Sequence, residues 1–192
     1  MGRWDQAFAM IKRAHELDPL SPHIRRILAW HLSVRGQHEQ AVELMRTAIE
    51  LAPDQFLTHV YLGDIYLRRG VNKEAFAEYQ KALDISAGNA GVRLILAHAY
   101  AVSGQRAKAE KILEELKAEL KQANLPFLEI ATVYAALGRK DEAFGLLEKA
   151  YQEHSGEMIK LKSYGKLEPL RSDPRFADLL RRVGFPPGEI RK

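Results

Sequence analysis

Seven histidines and 25 acidic residues stand among the 192 of this chain, so metal binding is the first chemistry to test. Two histidines serve one metal from a helix when they are four residues apart and share a face, as in a His-Glu-x-x-His pattern. His23, His31, His59 and His98 show no such pairing, and the chain is expected to hold no metal and no cofactor. Ser163 and Lys166 have the Ser-x-x-Lys spacing that joins a nucleophile to a base, but none of the companion motifs that complete such a site follows. Glu114 and Glu115 are adjacent, so on a helix they point about 100° apart and form a solvated face rather than an acid–base pair. No glycine-rich phosphate loop and no Gly-x-Ser-x-Gly elbow occurs, and the absence of cysteine removes disulfides, thiol nucleophiles and thiolate metal sites. The residues predict a protein that is not an enzyme; what remains is recognition.

The elements that must carry recognition are set by a period. Glycine returns at Gly2, Gly36, Gly70, Gly104 and Gly138, and alanine at Ala7, Ala41, Ala75, Ala109 and Ala143. A repeat of this length marks stacked supersecondary units. Leu28, Ala29 and Leu32, then Leu62, Gly63 and Tyr66, then Leu96, Ala97 and Tyr100, then Ile130, Ala131 and Tyr134 lie on one face of a first helix in successive units. Ala41, Met45 and Ala48, then Ala75, Tyr79 and Ala82, then Ala109, Leu113 and Leu116, then Ala143, Leu147 and Ala150 mark the inner face of a second. Small residues let the two helices approach, larger ones fill the space beside them, and the glycines end the first helices. Asn72 and Asp141 are expected to cap the second helices that follow.

This order of large, small, Tyr or Leu, Gly, Ala, large, Ala, Pro at fixed offsets resembles the tetratricopeptide repeat (TPR) family. Four units run 22–55, 56–89, 90–123 and 124–157, after a second helix of a truncated unit over 1–21 and before a degenerate repeat with a basic capping helix over 158–192. Arg25, His59 and Arg93 stand where the family often has Trp, and Ala87, Lys121 and Ser155 where it has a closing Pro. The resemblance implies an all-α, right-handed α-solenoid of about eleven helices and no sheet, with first helices lining a concave groove. On the family's offsets the groove carries His23, Arg26, Ile27 and Trp30; Val60, Tyr61, Asp64 and Arg68; Leu94, Ile95 and His98; Leu125, Leu128, Glu129 and Thr132. The Lys and Asn of the carboxylate-clamp relatives are missing. The implied ligand is a protein or peptide segment with apolar side chains and a basic residue near Asp64.

The two ends read differently. Trp4, Phe8 and Ile11 belong to a second helix without its first-helix partner, which predicts either a preceding segment in a longer protein or self-association as a homodimer through that face. At the other end Pro169 and Pro174 break the repeat, Ser172 or Asp173 starts a last helix, and Gly184, Pro186 and Pro187 stop it. The stretch from Leu167 to Phe185 resembles the closing motif of TPR domains in large bacterial regulators. From Glu157 onward nine Lys or Arg face five Asp or Glu, so the net charge of +4 resides in this tail. Without aromatic interleaving, the tail does not predict a nucleic-acid site. No apolar run is long enough to span a membrane, and a cytoplasmic protein is expected.

Overall fold

The structure, a computed structural model, describes residues 3–119 and 126–185; Gly2, Lys121, Leu125, Pro186 and Pro187 lie outside them. Ten α-helices and two 3-10 helices make up the described residues, with no strand among them: α1 (Arg3–Leu17), α2 (Pro22–Val34), α3 (His38–Leu51), α4 (Phe56–Arg68), α5 (Asn72–Ile85), α6 (Ala90–Val102), α7 (Arg106–Glu119), α8 (Phe127–Ala136), α9 (Lys140–Gln152) and α10 (Pro174–Val183), with 3-10 helices at Gly156–Lys160 and Gly165–Leu170. The second helices α3, α5, α7 and α9 each begin 34 residues after the one before. Backbone contacts divide the chain into two compact units, Met1–Arg93 and Leu94–Lys192.

One turn recurs between the helices of each pair. At Gly70 the chain takes φ +75°. The Gly70 amide donates to the Leu67 carbonyl at 3.0 Å, and the Val71 amide reaches back to the Tyr66 carbonyl at 2.9 Å. The same bonds recur at Gly36, Gly104 and Gly138. A side chain is strained in this left-handed conformation, which is why glycine holds the period.

In the first unit α1 packs on α2, α2 on α3, α3 on α4 and α4 on α5. Its core joins Leu28, Ala29, Leu32, Ala41, Val42, Met45, Leu62 and Ile65. Ala75, Tyr79 and Ala82 are sealed in α5. The close approach of α4 and α5 is tightest at Gly63, where a Cβ would lie 2.7 Å from the Tyr79 ring. The equivalent pairs elsewhere are Ala29 with Met45, Ala97 with Leu113 and Ala131 with Leu147. The small position loses its last carbon only where its counterpart becomes a ring, so the two residues compensate in volume.

In the second unit α8 packs on α9, α9 on α10, and the 3-10 helix Gly165–Leu170 on α8. Leu161, Leu167, Leu170 and Phe176 are fully buried there, so the degenerate repeat still closes a core although it forms short turns. Asp173 caps α10 by accepting the Arg175 amide at 3.0 Å, and Gly184 ends it at φ +98°.

Ion pairs join successive helices as well. Asp5 with Arg35 at 2.6 Å and Glu39 with Arg69 at 3.1 Å tie the start of a second helix to the turn after the next first helix in the first unit. Glu110 with Arg139 at 3.8 Å does the same in the second. These side chains are partly exposed, so each pair adds at most about 1 kcal/mol.

The caps differ from expectation. Asn72 is the first residue of α5, and Asp141 lies in the first turn of α9; the cap positions are Val71 and Arg139, with no side-chain cap bond. These helices begin directly out of the glycine turn, and a residue already in helical conformation cannot fold its side chain back over the open amides. Asn89 does what was expected of Asn72: its Oδ1 accepts the amides of Gly91 at 2.9 Å and Val92 at 3.3 Å.

The volume compensation is testable by a double-mutant cycle. Gly63→Ala should cost about 1–3 kcal/mol by driving a methyl into the Tyr79 ring. Adding Tyr79→Leu, which recreates the Ala–Leu combination of the second unit, should recover part of that loss. Lys73→Leu on the exposed side of α5 should leave the melting temperature nearly unchanged. Equal melting temperatures for Gly63→Ala and wild type would show that the close approach carries no stability.

Candidate peptide-binding face

In the first unit, α2 and α4 bring together most of the side chains expected to bind a ligand there. Trp30 of α2 and Tyr61 of α4 meet edge to face, with ring centroids 5.9 Å apart and planes at 83°. The Arg68 guanidinium lies 4.5 Å above the Trp30 ring and that of Arg26 5.5 Å from the Tyr61 ring. Both rings are half-buried, as are Ile27 and Asp64, while His23 and Arg68 are exposed. Aromatic pairs in this perpendicular arrangement attract beyond their burial, and guanidinium groups over aromatic faces add to it.

Two members of this face are engaged internally. Tyr79 donates its hydroxyl proton to Asp64 Oδ1 at 2.6 Å, so the carboxylate expected to meet a basic ligand also anchors α4 to α5. Burial first, and the Asp64 charge second, push the Tyr79 phenol well above its ordinary range and keep it a donor. Arg26 is only 8% exposed, and its Nη2 donates to His23 Nδ1 at 2.9 Å. Val60 is buried and has no surface to offer. Tyr79 was not foreseen as part of the site; its signal was the single glycine at the small position facing the single aromatic at the position shared with Met45, Leu113 and Leu147.

The second unit treats its candidates differently. Leu94, Leu128 and Thr132 are buried, and Thr132 Oγ1 donates to the Glu129 carbonyl at 2.7 Å. Ile95, His98 and Glu129 are half-buried. The reason at α8 is the chain's own ending: the 3-10 helix Gly165–Leu170 packs against it, and Tyr164 donates to Glu129 Oε2 at 2.5 Å. The face of α8 offered to a ligand by its offsets is thus covered by the degenerate repeat. The basic tail is also engaged, since Arg175 pairs with Asp141 and Asp173, Arg182 with Glu148, and Arg181 with Asp178.

On α1, the expectation that Trp4, Phe8 and Ile11 all lie open is corrected. Phe8 and Ile11 pack against the core of α2, α3 and α4, and Arg35 lies 4.4 Å over the Phe8 ring. Trp4 remains 54% exposed, with its ring edge on His31 at 5.9 Å. The large open side chains of α1 are Trp4, Met10 and Leu17. A helix in its second-helix register reaches α2 through the side that carries Phe8, which leaves the opposite side bare.

Models of the tetratricopeptide repeat match residues 1–56, 28–90 and 66–125. The chain belongs to the tetratricopeptide repeat family. Its TPR sequence is 27% identical over 117 residues to human protein O-mannosyl-transferase TMTC1, a match covering 61% of this chain and 13% of that protein. It is 27% identical over 131 residues to the antiviral innate immune response effector IFIT1 of Macaca fascicularis, covering 61% of this chain and 27% of the relative. The chain therefore spans a small part of these relatives. Among solved structures, a thermophilic TPR protein of Thermus thermophilus shares the fold, with a TM-score of 0.65 at 24% identity over 94% of this chain and 92% of that one. The all-α fold class read from the TPR period is that of the molecule, and the family is one of protein-interaction scaffolds. Among the described residues no helix is long and apolar enough to cross a membrane, and no cluster of potential metal ligands occurs.

His98 carries a pH consequence. Burial, with the nearby Lys166 charge second, lowers its pKa from 6.5 to about 3. The unfolded chain takes up a proton near the ordinary value, whereas the folded chain resists it, so this residue's contribution is whole above pH 6.5 and drains away as pH falls toward 3. Thermal melts over that range should show a shallower loss for His98→Asn than for wild type. Parallel curves would mean that His98 protonates freely in the folded state.

Proposed function

We propose that the α2–α4 face of the first unit captures a peptide or protein segment, making this chain a non-catalytic scaffold. The observation that carries the reading is the half-buried Trp30–Tyr61 pair held under Arg68. Rigid aromatic groups with one face still open are the usual anchors of protein interfaces, because they bury much area at little cost in side-chain freedom. The closing motif from Leu167 to Phe185 supports a place as the C-terminal module of a larger bacterial, cytoplasmic regulatory protein.

A partner recovered from an extract of the source cells and then purified provides the titrant. Trp30→Ala should weaken its binding by about 2 kcal/mol or more. Glu148→Ala, on α9 of the second unit and outside the face, should change it little. Indistinguishable affinities for Trp30→Ala and wild type, with the variant's melting temperature preserved, would move the binding site off this face.

A second reading, self-association through α1, rests on a separate observation. Ala41, Met45 and Ala48 of α3 and their counterparts in α5, α7 and α9 are all sealed, whereas Ala7, Ile11 and Ala14 at the same places of α1 are exposed or half-buried. The face that elsewhere takes a first helix is open here. Under this reading sedimentation velocity should reveal a concentration-dependent dimer that Met10→Glu with Leu17→Glu abolishes, since both side chains project into water and their loss leaves the core intact. A monomer at every concentration tested would exclude the dimer.

A further inference from the structure

Arg26 is 8% exposed as a residue, and its guanidinium, not sealed from water, has no carboxylate beside it among the described residues. Its protein partners are His23 Nδ1, which accepts one of its five N–H groups, and the Tyr61 ring. A guanidinium set mostly among side chains, with open N–H groups and no ion pair, gains from a carboxylate brought to it in a partly desolvated place. Arg68, on the same face and over the adjoining ring, likewise pairs with no carboxylate among the described residues. The one acid of the face, Asp64, already accepts the Tyr79 hydroxyl. Asp64 keeps its charge while accepting that hydroxyl, so the face sets two guanidinium groups, neither in an ion pair among the described residues, against one carboxylate around the aromatic pair.

We infer that the segment captured on this face is acidic, with an Asp or Glu carboxylate bonded to Arg26 and a neighbouring apolar side chain laid on Trp30 and Tyr61. The inference rests on the peptide-binding reading above and reverses the charge expected from Asp64 alone. Arg68 supplies the second positive charge, and its place over Trp30 brings a second carboxylate of the same segment across the ring. Asp64 repels an acid set directly above it, which spaces the two carboxylates to either side. A guanidinium suits this role because its planar fork meets a carboxylate with two parallel bonds.

The test is calorimetric titration of the whole chain with three capped peptides that share one leucine spacing and differ in carrying Asp and Glu, their amides Asn and Gln, or Lys between the leucines. The acidic peptide should bind most tightly, weaken with added salt, and lose about tenfold on Arg26→Gln, the equivalent of one buried charge-assisted bond. Arg68→Gln, at an exposed side chain, should also weaken it, and keeps the test decisive if Arg26→Gln lowers the melting temperature. Equal binding of the acidic and amide peptides, tighter binding of the lysine peptide, or no binding of any would overturn the inference. In each of these cases loss of the purified partner on Trp30→Ala would still uphold the peptide-binding face, and retention would sink that reading separately.

Discussion

The close approach of two helices at a small residue is the constraint on which the rest of this molecule depends. At Gly63 the backbone of α4 comes so near the Tyr79 ring that a single added carbon would lie 2.7 Å from it. Dense packing at that point puts the remaining residues of α4 at fixed angles around the helix. Val60 then points into the core, Tyr61 and Asp64 half out of it, and Arg68 into water. The same contact delivers the Tyr79 hydroxyl to Asp64, so the packing that makes the helix pair also decides how the charges of that face are engaged.

Charge is distributed between engaged and uncompensated groups with some regularity. The acids at the starts of α1, α3 and α7 find arginines one unit on, and the arginines of α10 find acids on α9 or on their own helix. Arg175 and Arg182 of the tail are thus met by acids of α9. Arg26 and Arg68 lie over aromatic rings and pair with no carboxylate among the described residues. Their position beside the aromatic pair makes the first unit, not the basic tail, the chemically distinctive surface.

The two units use one repeat in opposite ways. In the first, one face of α2 and α4 keeps two aromatic rings half open. In the second, the corresponding face of α8 receives the chain's own 3-10 helix and the Tyr164 hydroxyl. Pro169 lies inside the segment that would continue the repeat, which forms a 3-10 helix instead of a regular first helix, while Pro174 opens α10.

The period of glycine and alanine was enough by itself to determine the helix pairs, the turns and the positions that pack them, because each of these depends on local backbone conformation and residue volume, which recur with the sequence. The second-helix starts of the molecule keep that period without a slip. The site was only partly legible. Trp30, Tyr61 and Arg68 come together as their offsets imply, whereas Leu128 and Thr132 share those offsets and are buried. Offsets describe a direction around one helix; whether that direction meets water depends on what other segments fold over it, as the degenerate repeat does at α8. The engagement of Asp64 by Tyr79 and the lone charge of Arg26 belong to the same class, since both arise from side chains brought together across helices, and only the tertiary structure decided them.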